Sequence, residues 1–227
     1  KSWVGKLFVK IEHCIYKNAQ IITTVTNGLY LDLCKEFPSE ESKFLLVQNG
    51  YDEDVFGNIS KHIHNKNKSF TIAYHGRLGK FYDAQGFIEV MNLVGLKDPT
   101  IQFLLIGDIS DAFKKKEGQN VEFMNVLPIN QLATEISKCH LGICLLKDLP
   151  VMKKAFPAKV YDFIGAGLPV LVAPNGELAK RVKQLNIGSV FKKVVPMEIA
   201  NEIINLKNNH GKIEKLQANL LVQRPNF

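Results

Sequence analysis

The chain has 227 residues, 46% hydrophobic and 22% charged, and its 29 basic residues exceed 22 acidic ones for a net charge of +7. That length and apolar content suit one large domain, or one domain with part of another, and exclude a chain dominated by disorder. No apolar run approaches the ~18 residues that cross a bilayer, and KSWVGKLFVKIEH, broken by charges every few residues, is no signal peptide.

The chain opens inside a helical pattern without a Met, so a fragment of a longer protein is expected. Residues 5–18 predict an amphipathic helix with Leu7, Phe8, Ile11, Cys14 and Ile15 on one side. Ile21–Val25 reads as a strand, and Thr26 or Asn27 caps a helix over roughly 28–36. Phe44–Gln48 is a further short strand, followed by the turn Asn49-Gly50. From Asp52 to Ser69 the chain turns polar and irregular, the composition of a linker.

Beyond it strands and helices alternate. Strands are expected at 70–75, 101–106, 121–124, 141–145, 169–172 and 189–191. Helices are expected at 82–95, 109–116, 129–138, 157–166, 176–185 and 196–208. Short buried strands separated by helices predict a doubly wound parallel α/β sheet. Ligands of such sheets sit beyond the carboxyl ends of the strands, which directs attention to the loops there.

Within Phe156–Ala173, FPAKVYDFIGAGLPVLVA, Pro157 suits the first helical position, since its fixed φ fits and its missing N–H would have no partner there. Val160, Phe163 and Ile164 form the buried stripe, and Ala158, Asp162, Gly165 and Ala166 a second, small one that carries a single carboxylate. Asp162 then reads either as an acceptor for ligand hydroxyls or as a helix-dipole acid on a solvated face. Lys153, Lys154 and Lys159 flank the start of this helix, where free N–H groups already favour anions; the other reading is three solvated lysines.

Gly76-Arg77-Leu78-Gly79-Lys80 follows the first strand of the sheet, with Arg77 one of only three arginines. Close backbone approach, a planar guanidinium and a flexible ammonium together suit a diphosphate. A plain turn with solvated charges would look the same. It is neither a P-loop nor a dinucleotide fingerprint. Cys14, Cys34, Cys139 and Cys144 show no CxxC and no disulfide framework, which fits a reducing cytoplasm. His62-x-His64 is too little for a metal site. Lys114–Lys116 falls at a predicted helix end, where cations suit the dipole, and no aromatic or Cys/His pattern supports nucleic-acid binding.

The order NGYDEDVF, AYHGRLGKFYDAQGFIEVM, FLLIGD, VEFMNVLPINQLATEISKCHLGICLL and FPAKVYDFIGAGLPVLVA resembles the carboxyl-terminal half of a GT-B glycosyltransferase, in the large retaining group called glycosyl transferases group one, or family four. The resemblance implies residues 1–48 as the end of an amino-terminal acceptor domain and 49–69 as the interdomain linker. Residues 70–210 become a Rossmann-like donor-binding domain, with 211–227 a carboxyl-terminal, helical tail. It implies transfer of a sugar from a nucleoside diphosphate sugar, UDP- or GDP-linked, with retention and without a metal.

By resemblance, Arg77 and Lys80 are the catalytic cations on the departing diphosphate. The donor is then held by Gly76, Arg77, Lys80, Asn125, Val126, Lys154, Phe156, Pro157, Ala158, Lys159 and Asp162. Asn125–Pro128 matches the loop on which the base rests, and Asp162 takes the place of the glutamate that holds the ribose. Two departures stand out. The second family cation falls at Tyr82, and the glutamate near the donor sugar is Lys154. The family's acceptor pocket lies upstream of Lys1, so this chain alone is expected to transfer little or no sugar. Its relatives suggest a bacterial surface glycan or lipid-linked acceptor, in the cytoplasm or peripherally on an anionic membrane. Lys154 keeps open a second reading, a non-catalytic nucleotide-binding module or a subunit of a split enzyme.

Overall fold

The computed structural model describes residues 3–57, 66–115, 118 and 120–227. Part of the predicted linker, with His62 and His64, and Lys116 lie outside the described residues. The amino-terminal segment comprises α1 (Trp3–Asn18), β1 (Ile22–Thr24), α2 (Asn27–Glu36), β2 (Phe44–Leu46) and α3 (Glu53–Phe56). The larger part begins with β3 (Thr71–His75), α4 (Ala84–Lys97), β4 (Gln102–Ile106), α5 (Asp111–Lys114), β5 (Val121–Met124), α6 (Ile129–Ser137) and β6 (Leu141–Leu145). It continues through α7 (Pro150–Lys153), α8 (Ala158–Gly165), β7 (Val170–Ala173), α9 (Glu177–Leu185), β8 (Gly188–Val190), α10 (Pro196–Asn208) and α11 (His210–Gln223).

Strands β3 to β8 form one parallel sheet in the order β5-β4-β3-β6-β7-β8. The chain winds outward from β3 to one edge, then returns to β6 and winds to the other. β3 and β6 are therefore the switch point, as expected of a doubly wound sheet. Both faces are covered, and the strands show it as two alternating apolar rows. Ile72, Tyr74, Phe103, Leu105, Ile143 and Leu171 pack towards α4 and α10, while Ala73, Leu104, Ile106, Cys144, Val170 and Val172 pack towards α6, α8 and α9. Each fully buried Leu, Ile or Val contributes about 1.5–3 kcal/mol, so these rows dominate the stability of the sheet.

One glycine sets the height of α8 above the sheet. A Cβ on Gly142 of β6 would lie 2.4 Å from the ring of Phe163, so only glycine lets that ring rest on the strand. The expected stripe of Val160, Phe163 and Ile164 is buried, as the spacing predicts. Pro157, however, is the N-cap and not the first helical residue: its ψ of 137° is extended, and its carbonyl accepts the Val160 N–H.

Other expectations are corrected. Thr26 stands at the N-cap of α2 but makes no side-chain cap. The Glu177 carboxylate does so instead, accepting from Asn27 N–H at 2.6 Å and Gly28 N–H at 2.7 Å. The helix expected at 109–116 shrinks to α5, because no apolar residue follows to be buried beyond it. Two short helices were hidden: α3, started by the Asp52 carboxylate accepting from Asp54 and Val55 N–H, and α7, one turn opened by Pro150. The apolar side of α1 faces outward, with Trp3, Phe8, Ile11 and Ile15 exposed. The tail is helical through α11, and Phe227 returns to pack beside Phe156 and Tyr161.

Gly142→Ala is expected to push Phe163 and α8 off the sheet. Urea unfolding should show a loss of about 1–3 kcal/mol, the range for overpacking a filled core. An unchanged midpoint would mean that α8 is not seated on Gly142.

Candidate functional site

The ladder between β3 and β6 lasts only two residue pairs, Ile72 with Leu141 and Ala73 with Gly142. On its other side β3 pairs with β4 along all five residues. Towards their carboxyl ends β3 and β6 therefore part, at the switch point. The side chain of Lys159, in the first turn of α8, runs into this gap. Its Nζ lies 3.7 Å from the centre of the Tyr74 ring and 4.1 Å from that of Tyr82. Tyr82 is fixed there by a strap: Asp83 N–H donates to Leu145 O at 3.0 Å and Lys147 N–H to Phe81 O at 2.9 Å.

Lys159 is 7% exposed, and its ammonium has no hydrogen-bond partner. Burial lowers its pKa to about 8, so it remains mostly charged at neutral pH. Asp162 stands one turn further along α8, its side chain 23% exposed, with Oδ2 3.3 Å from Nε2 of His75. The same Nε2 lies 3.4 Å from the Lys159 carbonyl. Burial raises Asp162 to about 6 against the pull of Lys159. Burial, helped by the Lys159 charge, lowers His75 to about 4. At pH 7 the carboxylate is thus ionised and the imidazole neutral, and their contact is a hydrogen bond rather than an ion pair.

Above this group runs the turn after β3. Gly76 has a φ of 84°, and Gly107, after β4, one of 138°. A Cβ on Gly107 would stand 2.7 Å from Gly76 O, so two glycines let the two strand ends close on each other. Arg77 projects from the turn, exposed, with Nε 3.5 Å from Asp108 Oδ2. Beside it opens a cavity of about 290 Å³ lined by His75, Gly76, Arg77, Asp108, Val126 and Leu127 among others.

The structure therefore gathers Gly76, Arg77, Val126, Lys159 and Asp162 at one strand edge. Asn125 is exposed beside Val126, and Pro157 and Ala158 open α8. Lys80 is exposed and extends towards Phe81, its Nζ 4.9 Å from that ring. Two residues are engaged elsewhere. Lys154 pairs with Asp32 of α2, and Phe156 is buried, its ring 4.5 Å from that of Tyr161. Phe156 faces a different cavity, of about 350 Å³, between Thr26, Asn49, Arg181 and Phe227. Sequence reasoning gave no role to Tyr74 or His75 and met Tyr82 only as a departure from the family pattern. The available signal was a strand ending in Tyr-His just before the glycine turn. Among the described residues no cluster of three His, Cys, Asp or Glu could hold a metal, and no helix is long and apolar enough to cross a membrane.

A parallel six-stranded sheet with a charged, glycine-lined switch point defines a Rossmann-like domain of the GT-B class. The family model described as "Glycosyl transferases group 1" matches residues 56–220, and the chain belongs to that family. No curated protein sequence matches it significantly. Among solved structures it is similar to HepE from Anabaena in complex with UDP and glucose, at 16% identity and a TM-score of 0.70, over 93% of this chain and 60% of HepE. It is also similar to TarM from S. aureus in complex with UDP, fondaparinux and α-GlcNAc-glycerol, at 18% identity and a TM-score of 0.67, over 95% of this chain and 44% of TarM. A third is WaaG, a glycosyltransferase involved in lipopolysaccharide biosynthesis, at 14% identity and a TM-score of 0.65, over 90% of this chain and 58% of WaaG. The chain thus spans at most about 60% of the length of these proteins.

An ammonium held without an acceptor lowers stability. Lys159→Met, which keeps the stem and removes the charge, should therefore raise the unfolding free energy at pH 7 by about 1–3 kcal/mol in urea titrations. The depressed pKa fixes the sign with pH: the advantage of the variant is full below about pH 8 and shrinks as Lys159 sheds its proton above it. A destabilised variant would show that the cation–π contacts outweigh the desolvation.

Proposed function

We propose that this chain is the donor-holding part of a retaining glycosyltransferase that uses a nucleoside diphosphate sugar. The observation that carries the reading is Asp162, a partly exposed carboxylate at the switch point, one turn from an unpartnered ammonium. A vicinal diol presents two hydroxyl donors to such a carboxylate. The diphosphate next to it needs cations and free N–H groups, for which Arg77, the exposed Lys80 on the same loop and the first turn of α8 are the candidates. The cavity between Arg77 and Val126 gives the base a place, with Asn125 exposed next to Val126 in the chain. Residues 70–210 form the donor domain in this reading, 49–69 the linker and 1–48 the end of the acceptor domain.

In the reaction the bond from the anomeric carbon to the diphosphate oxygen breaks, and its electron pair leaves with the diphosphate. The acceptor oxygen bonds the same face of that carbon, and its proton passes to the departing oxygen. Cations fixed beside the diphosphate stabilise the charge as it develops, the contribution that is usually largest. Holding the acceptor on the donor's front face supplies much of the rest. The acceptor side comes from the remainder of the full-length protein, which covers the exposed apolar face of α1. That HepE was solved with UDP-glucose supports a UDP-sugar, and we take GDP as the alternative. WaaG supports a bacterial surface glycan or a lipid-linked acceptor. A net charge of +7 suits work at the anionic cytoplasmic face of a membrane.

One observation favours a second reading. Lys154 stands where the family resemblance places a sugar-binding glutamate, and it is held by Asp32. A nucleotide-binding module without transfer, or one subunit of a split enzyme, would tolerate that exchange.

Thermal unfolding with UDP, GDP, ADP and CMP tests the assignment. A nucleotide at ~100 times its Kd adds about 2.7 kcal/mol, which raises Tm by about 5–10 °C in a chain of this size. The rise should vanish in Arg77→Ala and Asp162→Ala. It should also shrink from pH 7 to pH 5 as Asp162, with its pKa of about 6, takes up a proton. Asp162→Asn should bind weakly without that pH step. No rise with any nucleotide would sink the reading. A rise without sugar transfer by the full-length protein would select the second one.

A further inference from the structure

Resting on the donor-site reading above, we propose that Lys159 is the second cation of the diphosphate subsite and meets the charge that develops during transfer. It fills the role that Lys80 is too exposed to fill and that Tyr82 lacks the charge for.

The ammonium of Lys159 is buried and makes no hydrogen bond where it lies. The stem packs, the two tyrosine rings offer their faces, and no oxygen receives the N–H groups. Leaving such a group unpaired in a protein interior is costly, so residues of this kind are expected to wait for an anion. The anion must arrive from above. A Cβ on Gly76 would stand 3.8 Å from Nζ, so the glycine turn lies directly beside the buried ammonium. On this proposal rotation about the last bonds of the lysine side chain would bring Nζ towards that turn. Arg77 stands exposed on the same turn, next to Gly76, and Lys159 itself belongs to the first turn of α8.

Tyr82 explains the arrangement. Its ring occupies the place, five residues beyond Arg77, from which the family resemblance expects a cation. The strap between Phe81–Asp83 and Leu145–Lys147 holds that position against β6. A lysine at 82 would send its ammonium into the space that Nζ of Lys159 now fills, 4.1 Å from the ring centre. The two positions are thus alternative origins for one charge, from opposite walls of the same gap. Lys80, on the exposed loop between them, ends at Phe81 and stays in water, where a cation is strongly screened.

The test compares calorimetric binding of UDP and GDP with that of uridine and guanosine, which lack the diphosphate. Lys159→Met should lose about tenfold or more in affinity for the nucleoside diphosphate and keep its affinity for the nucleoside. Adding Tyr82→Lys to Lys159→Met should restore diphosphate binding to near the wild-type value, whereas Tyr82→Phe in its place should not. Lys159→Gln serves as a second neutral variant, and a single cooperative melting transition without ligand establishes that each protein is folded. Unchanged diphosphate affinity in both neutral variants would overturn the proposal while leaving the donor site standing. Equal losses for nucleoside and diphosphate, or no recovery with Tyr82→Lys, would make Lys159 a structural residue and overturn it too. Failure of the wild-type protein to bind any nucleoside diphosphate would overturn the donor-site reading itself.

Discussion

The carboxyl edge of this molecule is governed by the parting of β3 from β6. A doubly wound sheet must open where its winding reverses, and here the ladder stops after Ala73 and Gly142. The gap has to be filled, and it is filled by a four-carbon stem ending in a charge. Cation–π contacts with Tyr74 and Tyr82 return about 2 kcal/mol at most, against a desolvation cost of several kcal/mol for an ammonium. The imbalance explains why the Lys159 pKa is lowered, while His75 stays neutral chiefly through its own burial, with the Lys159 charge adding to it. It also explains the surrounding glycines. Gly142 lets Phe163 seat α8 low enough for Lys159 to reach the gap, and Gly76 and Gly107 close the turn above it.

A second set of contacts ties the amino-terminal segment to this edge. Glu177, at the start of α9, accepts from the first N–H groups of α2 some 150 residues earlier. Two helix N-termini thus share one carboxylate, which is favourable to both dipoles. Lys154 completes the tie by pairing with Asp32 on the same helix. Arg224 from the far end of the chain donates to Phe56 O, with its guanidinium over the Tyr51 ring. These contacts engage two of the eleven residues that the family resemblance assigns to the donor. Lys154 and Phe156 lie close to the start of α8 in sequence, yet they hold α2 and the returning tail.

Much of the fold was legible because the rows that make it are local. Alternation in FTIAYH and IQFLLI, and helical spacing in FPAKVYDFIGAG, bring the core into view directly. The α/β class and the six parallel strands follow from that. What stayed hidden depends on partners distant in the chain. Thr26 is a good capping residue by type, but a carboxylate from α9 arrives first. The apolar side of α1 reads as buried from its own pattern, although none of the described residues covers it. Lys159 was ambiguous for the same reason: its letter fits a solvated helix start, and only the divergence of β3 from β6 turns it inward. Arg77 and Asp162 were visible as candidates, a rare arginine after a strand and a lone acid on a small stripe, although each also fitted a solvated charge.

The two cations at the edge differ in what they can do. Arg77 shares Asp108 across 3.5 Å in open solvent, with side chains 81% and 68% exposed, and such pairs contribute about 0–1 kcal/mol. It can attract a diphosphate and orient it, but water screens its hold on any charge that forms later. Lys159 sits where screening is weak, so its attraction for the same oxygens rises steeply as they become more negative. A charge of that kind favours the departing diphosphate over the intact donor, and it does so only if it is kept dry beforehand. Keeping it dry lowers the stability of the empty protein. On the proposed reading the tyrosine rings are the compromise between the two demands: they hold the ammonium without giving it an oxygen, so that the first oxygens it would meet are those of the ligand.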